Sequence, residues 1–404
     1  MVVVVFDNFG PYHLARLKAA AKRTPLTGIE VAGVSYEYSW IPARKSETIR
    51  IIQLLPEATS VSISKAELAT RLWNALSQVS PGAVLVPGWS TYASLATISW
   101  CTAKKIPSIL MSESGESDQQ RVWWEELIKQ RIVRLCSSSL VGGQTHVDYA
   151  VKLGMGRERC FTGYDTVDNQ YFAIKAEEAR LHGFAIRRKC GLPENFFLAS
   201  ARFIAKKNLL GLIGAYACYR AEAERIGKTG SEIWELVLLG DGHLRSTIES
   251  HCSKLQIKDH VHMPGFKQYP DLPVYYGLAK AFIHASTTEQ WGLVVNEAMA
   301  SGLPVLVSNR CGCARDLVKE GVNGYTFNPY DGEQLAQLMV KLADLKSELS
   351  SMGAASKRII ANWGPERFAD GLTKAIESAV KNQVPCATLF DRVLLRILMQ
   401  RSAA

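Results

Sequence analysis

Short apolar runs alternate with helix-patterned segments along almost the whole of this 404-residue chain. In the first half, residues 2–6, 29–34, 49–54, 83–86, 108–112 and 138–142 read as strands. In the second half the strands are 196–201, 234–239, 260–263, 281–284 and 304–307. Helical periodicity fills the intervals near 13–23, 64–79, 91–104, 121–136, 144–153, 208–226, 243–255, 270–279, 293–301, 332–348 and 366–381. A strand that is apolar at nearly every position is buried on both faces, which requires a parallel sheet covered by helices. The alternation continues over two domain lengths. The expectation is therefore an α/β chain with two Rossmann-like domains, their parallel sheets facing across a cleft and ligands at the carboxyl ends of the strands. The boundaries expected are 1–170, 190–365, and a closing segment at 366–404 containing a helix and an amphipathic tail, with the seam at 165–195.

Composition narrows the class. Hydrophobic residues make up 47% and charged residues 21%, values that exclude a disordered or collagen-like chain. The nine cysteines include no C-x-x-C pair, which fits a reducing cytosol better than a disulfide scaffold or zinc ribbon. The net charge of +9 is spread along both halves; it suits anionic ligands and does not mark a nucleic-acid face. The opening Met-Val-Val-Val-Val-Phe lacks a basic leader and meets Asp7, so no targeting segment is read there. Residues 72–103 carry no charge, but Pro81, Gly82, Pro87 and Gly88 interrupt them. They read as soluble elements, and the location expected is cytoplasmic, with a peripheral membrane contact left open.

Four constellations carry chemistry. The first is Glu289-Gln-Trp-Gly292-Leu293-Val294-Val-Asn-Glu297, followed by Gly302-Leu-Pro304. Gly292 allows close backbone approach, and the first-turn amides of Gly292, Leu293 and Val294 are donors for a phosphate. Carboxylates at Glu289 and Glu297 suit sugar hydroxyls, and both are expected to be able to face the cleft above the helix start. The second is Arg202-Phe-Ile-Ala-Lys206-Lys207, a strand-to-helix turn able to hold a diphosphate with a planar fork and a point charge. Lys206 is the solvent-facing neighbour. The third is Gly240-Asp241-Gly242, a tight turn beside a ligand. In the fourth, Asn8-Phe9-Gly10-Pro11-Tyr12-His13, Gly10 brings amides toward a phosphate, and His13 either faces the cleft or caps a helix.

Other chemistries lack their motifs. The chain has no D-x-D pair, H-E-x-x-H, G-x-S-x-G or G-x-x-x-x-G-K-[ST], and no G-x-G-x-x-G after its first strand. Two segments stay open. The basic, aromatic helix of Trp123, Trp124, Lys129, Arg131 and Arg134 reads as a core helix with a solvated edge rather than one resting on lipid. The amphipathic tail 389–400 packs on protein or on a membrane.

On these residues the chain resembles the retaining glycosyltransferases of the GT-B fold and family 4 type, over most of 1–380. The most specific part is Glu289-x7-Glu297 with Ala298-Met-Ala-Ser-Gly-Leu-Pro304. Arg202 and Lys207, Gly240-Asp241-Gly242, Gly265-Phe266 and Gly321-Val-Asn323-Gly324 support it in order. Asp165-Thr-Val-Asp168 stands where relatives often read Asn-Gly-Val-Asp. The resemblance implies a nucleotide-diphosphate sugar donor, UDP above GDP or ADP, a hydroxyl acceptor, and no metal or other cofactor. It implies that Arg202 and Lys207 hold the diphosphate, Glu289 the sugar and Glu297 the ribose. The amides of 292–294, the Gly10 loop and the Gly240-Asp241 turn complete the donor site. Many relatives place His-Asp after the strand at 108–112; here Glu113 stands there, assigned to the sugar or acceptor pocket with His13. The alternative is a non-transferring GT-B protein: a nucleotide-sugar binder, epimerase or phosphorylase.

Overall fold

The computed structural model describes residues 1–33, 49–56, 63–345 and 347–401. The strand expected at 29–34 lies at Leu26–Glu30 instead, residues 31–33 are not strand, and residue 34 falls outside the described residues. The chain forms two compact units, Met1–Val167 with Trp363–Ala404, and Asp168–Asn362.

The first unit holds strands β1 (Val2–Phe6), β2 (Leu26–Glu30), β3 (Arg50–Gln53), β4 (Ala83–Pro87), β5 (Ser108–Ser112), β6 (Ser138–Val141) and β7 (Cys160–Thr162). Its helices are α1 (Pro11–Ala21), α2 (Lys65–Val79), α3 (Tyr92–Lys104), α4 (Trp123–Arg134) and α5 (Gln144–Lys152). The described strands lie in the order β3-β2-β1-β4-β5-β6-β7 and pair in parallel. β1, β4, β5 and β6 are buried along nearly their whole length, as strands with helices on both faces must be.

The second unit holds α6 (Asn169–Leu181), α7 (Gly183–Cys190), β8 (Phe196–Ser200), α8 (Leu209–Arg225), β9 (Glu235–Leu239), α9 (Arg245–Lys254) and β10 (Val261–Gly265). It continues through α10 (Leu272–Leu278), β11 (Ala281–His284), α11 (Leu293–Ala300), β12 (Val305–Ser308), α12 (Ala314–Leu317), β13 (Gly324–Phe327), α13 (Gly332–Asp344) and α14 (Leu349–Ile360). Its strands run β10-β9-β8-β11-β12-β13, again in parallel. The order reverses beside β8, so the loops after β8 and β11 open at the switch point where ligands enter such sheets.

The seam region divides. From Asp168 onward it belongs to the second unit, where α6 packs on α10 and α11. The side chain of Asp168 accepts the Tyr171 amide at 3.0 Å and caps α6. The chain re-enters the first unit at Trp363, and α15 (Pro365–Lys381) lies on α1, β6 and β7. Gly371 permits that contact, because a Cβ there would overlap the Thr162 carbonyl oxygen. The Ser138 hydroxyl donates to the Ala375 carbonyl at 2.8 Å across the same interface. The tail forms α16 (Leu389–Arg401) and packs on α3.

Three expectations change. β7, β13 and α14 were not anticipated, and α13 ends at Asp344 instead of running on to 348. The segment 121–136 joins the core at its far end, through Ile132, Val133, Leu135 and Cys136, and its solvated edge is wider than expected. Within α4 only Ile132 and Val133 are buried; in its first turns Glu126 accepts the Tyr149 hydroxyl of α5 at 3.0 Å, while Trp123 is 75% exposed.

Candidate active site

Glu289 lies in the loop between β11 and α11, and a parallel bridge to Cys311 fixes its backbone. Its carbonyl accepts the Gly312 amide at 3.0 Å, and the Trp291 carbonyl accepts that of Cys313 at 3.2 Å. The side chain is nearly buried and forms an ion pair with Lys207, whose side chain is equally enclosed. His284, the last residue of β11, places Nε2 3.2 Å from Glu289 Oε2. The Ser286 hydroxyl sits 3.3 Å from both atoms. Burial alone would raise the Glu289 carboxyl pKa. The hydrogen bond from His284 and the charge of Lys207 outweigh burial and hold it well below the usual carboxylate range. Burial keeps His284 neutral, its own pKa lowered despite the neighbouring carboxylate. Its Nε2 is therefore read as the protonated nitrogen, donating to Glu289.

Arg202 and Lys207 follow β8, on a turn tied to the β11 loop. The Lys206 carbonyl accepts the Thr287 amide at 2.9 Å, and Lys206 is half-buried rather than solvent-facing. The Gly240-Asp241-Gly242 turn is laced to the Arg202 loop: the Phe203 amide donates to the Asp241 carbonyl at 2.8 Å. Gly240 has φ +122° and lies against the Ala201 carbonyl, where a Cβ would overlap it. The turn therefore shapes the loop that carries Arg202. The Asp241 side chain is exposed and accepts the Gly242 amide at 2.8 Å.

Gly292 starts α11 at φ +103°, a conformation that favours glycine. Gly292 itself lies against the cluster: a Cβ there would come within 3.5 Å of Glu289 and His284, and Leu293 and Val294 follow as the first helical residues. Glu297 is enclosed where Glu289 keeps a rim of exposure. It is fully buried, and the Tyr276 hydroxyl on α10 donates to its Oε2 at 2.6 Å. Trp291 is buried too, its indole N–H donating to the Asn296 side chain at 2.8 Å. His284, Ser286 and Tyr276 were missed in the sequence. A polar strand end five residues before Glu289 was the only signal for His284, and Tyr276 comes from a separate helix.

In the first unit, Gly10, His13 and Glu113 stand at the carboxyl ends of β1 and β5. His13 is a capping residue: its Nδ1 accepts the Gly10 amide at 3.1 Å. That amide is therefore engaged, and the Phe9 amide is held by Glu30 at 2.8 Å, which leaves neither aimed outward for a phosphate. Gly143 and His146 repeat the device at the start of α5, also at 3.1 Å. Burial and Arg16 together lower the His13 pKa to about 3. Glu113 is half-buried near the fully buried Asp165. Burial, with the charge of Glu113, raises the Asp165 carboxyl well above its usual range against the opposing pull of Arg16. The Arg16 guanidinium lies 3.8 Å from Asp165 and donates to the Thr166 carbonyl at 3.0 Å.

Comparison with known proteins places this arrangement. Residues 185–359 match the family model for glycosyl transferases group 1. Over that stretch, which is under half of the chain, the protein is similar to the group 1 glycosyltransferases. It is 27% identical to mannosylfructose-phosphate synthase of Agrobacterium fabrum over 62% of this chain and 56% of that protein. It is 29% identical to alpha-monoglucosyldiacylglycerol synthase of Streptococcus pneumoniae, over 43% of this chain and 36% of the relative. The chain thus spans between about a third and just over half of the length of these curated relatives. Among solved structures, Anabaena Alr3699/HepE superposes with a TM-score of 0.71 at 15% identity, covering 93% of this chain and 99% of that one. The glycosyltransferase WaaG gives 0.62 at 16% identity, covering 92% and 99%. At such identities the likeness is one of fold, and the fold is GT-B. The group 1 match contains Arg202, Lys207, Glu289 and Glu297.

Proposed function

We propose that the protein transfers a sugar from a nucleotide-diphosphate sugar to a hydroxyl acceptor, with retained configuration and without a metal. One observation carries the reading: a buried Lys207–Glu289 ion pair, backed by His284, beside the start of α11. Such a pair offers a cation for a phosphate and an ionised carboxylate for sugar hydroxyls within one cluster.

As the glycosidic bond breaks, negative charge collects on the departing phosphate and positive charge on the sugar ring. Arg202, Lys207 and the first-turn amides of 292–294 stabilise the first; a preorganised array of this kind needs no reorganisation at the moment of reaction. Glu289 accepts hydrogen bonds from sugar hydroxyls and faces the developing ring charge. Lys207 neutralises Glu289 in their ion pair; a bound diphosphate would draw part of that charge to itself and release the carboxylate for the sugar. The departing phosphate takes the acceptor proton in a front-side attack, so no covalent nucleophile is assigned.

UDP is the proposed nucleotide. The like-folded HepE was solved with UDP, with UDP and glucose, and with UDP-glucose. The test is calorimetry with UDP, GDP and ADP, followed by a nucleotide-sugar screen for slow donor hydrolysis. Binding of a nucleoside diphosphate with no donor breakdown and no transfer to any hydroxyl acceptor would favour a non-transferring protein.

A further inference from the structure

The segment that the sugar chemistry does not use is α16 with the neighbouring end of α4. α16 is anchored on one side: Leu395 and Ala387 are buried in the same core as α3, with Leu398 and Met399 packed against it. Its other side is bare. Leu389, Val393 and Ile397 recur at four-residue spacing, which aligns them along one helix face, and all three are exposed together with Phe390. Beside them α4 presents Trp123, Trp124 and Leu127, exposed as well. The Arg131–Asp391 ion pair at 3.4 Å joins the two helices, and the Arg131 guanidinium lies 5.2 Å from the Phe390 ring centre. A groove of about 280 Å³ runs between them, lined by Trp89, Trp124, Ile128 and Leu398 among others.

The charge around this apolar face decides its occupant. Asp391 is the single acid of α16. It is buried, paired with Arg131 and held by the Thr388 amide at 2.9 Å and the Thr388 hydroxyl at 2.6 Å. The charges that α16 leaves exposed are Arg392, Arg396 and Arg401, all cationic; α4 adds the exposed Arg131 and Arg134, against Glu125 in the groove and a Glu126 that Lys129 pairs at 2.8 Å. Apolar side chains flanked by arginines suit a surface that is oily inside and anionic at its rim. Among the described residues no helix is long and apolar enough to cross a membrane, so such a contact lies along the surface.

We propose that α16 and the first turns of α4 dock the first unit flat onto an anionic bilayer. The proposal stands independently of sugar transfer. The full chain is sedimented with vesicles of phosphatidylcholine alone and of phosphatidylcholine and phosphatidylglycerol in equal parts. Binding is expected to the anionic vesicles, to weaken as salt rises, and to be slight on the neutral ones. Val393→Ser with Ile397→Ser, and separately Trp123→Ser with Trp124→Ser, should each lower the partition coefficient by about tenfold or more. Arg392→Glu with Arg396→Glu should remove the preference for anionic lipid. These two arginines lie at exposed positions, so the reversal carries the test even where a serine variant folds poorly, as read by circular dichroism. Absence of vesicle binding at low salt, equal binding to both vesicles, or binding untouched by all three pairs of substitutions would overturn the proposal. So would a dimer in sedimentation velocity that the serine substitutions dissociate, with no vesicle binding, since the face would then serve a second copy of the chain.

Discussion

Removing Lys207 while leaving Glu289 strands a carboxylate that the fold has already taken out of water. Both side chains are only about an eighth exposed, at 12% and 13%. Breaking a buried pair from one side costs about 3–5 kcal/mol. The residual exposure and the remaining His284 and Ser286 contacts place Lys207→Met nearer 2–3 kcal/mol. Glu289→Gln keeps the shape and removes the charge, so the double variant should recover much of the loss. The expected coupling energy in the cycle is about 1.5–2.5 kcal/mol.

The measurement must report on the second unit alone, because a two-unit chain need not unfold in one step. Hydrogen exchange across a urea series, read on peptides spanning β11 and α11, meets that need. The pH dependence gives a second readout. The folded Glu289 pKa lies below its unfolded value, so the unfolded state takes up the proton first as pH falls. The stabilisation is fully present above about pH 4.5 and is lost as pH falls further toward the folded value. Glu289→Gln should flatten that part of the acid limb. A coupling energy below about 0.5 kcal/mol, the range of independent sites, would refute the claim that the pair acts as one electrostatic unit.

Further outcomes follow from the same geometry. Glu289→Gln should lower turnover far more than UDP affinity, and steady-state kinetics with unchanged turnover would remove Glu289 from catalysis. Arg202→Ala with Lys207→Ala should weaken UDP binding by at least about a hundredfold, since two charge-assisted hydrogen bonds at about 1.5–3 kcal/mol each come to about 3 kcal/mol or more; equal affinity by calorimetry would refute the phosphate clamp. Transfer should survive chelator at full rate, whereas a loss restored by magnesium would contradict a metal-free mechanism. His13 is held neutral with a pKa near 3, so the first unit should lose about 1.4 kcal/mol per pH unit as pH drops from 6.5 toward 3. His13→Asn should reduce that slope in urea titrations read on α1 peptides, and an identical slope would show that His13 titrates freely in the fold.

The sequence made the central strands plain because their burial on both faces forces apolar runs. Edge strands escape that rule. β7 is half-buried at each of its three residues, and β13 starts at a glycine. A Cβ on Gly324 would overlap the Val305 carbonyl oxygen, so the residue that breaks the strand pattern is the one that lets β13 pair with β12. α14 hid for a related reason. Its sequence, Leu-Ser-Ser-Met-Gly-Ala-Ala-Ser, is small and weakly patterned, and Gly353 permits its close approach to Gly302.

The candidate site shows the same division between what chemistry repeats locally and what packing adds from a distance. Glu289, Arg202 and Lys207 stand in recognisable spacing because polar groups that meet a ligand in such sheets lie in the loops after the strands. Their electrostatic state is not local. Lys207 reaches Glu289 across 82 residues, and Tyr276 reaches Glu297 across 21. The paired glutamates eight residues apart look alike in sequence, yet packing separates their roles. Glu289 keeps a rim of exposure and a cation, and is fitted to meet a ligand. Glu297 is sealed under α10, and its carboxylate accepts the Tyr276 hydroxyl inside the unit. A ribose contact from Glu297 therefore requires that α10 yield when donor binds. Hydrogen exchange on 272–278 with and without UDP reads that motion directly: faster exchange on binding would support it, and unchanged exchange would confine Glu297 to holding α10 against α11.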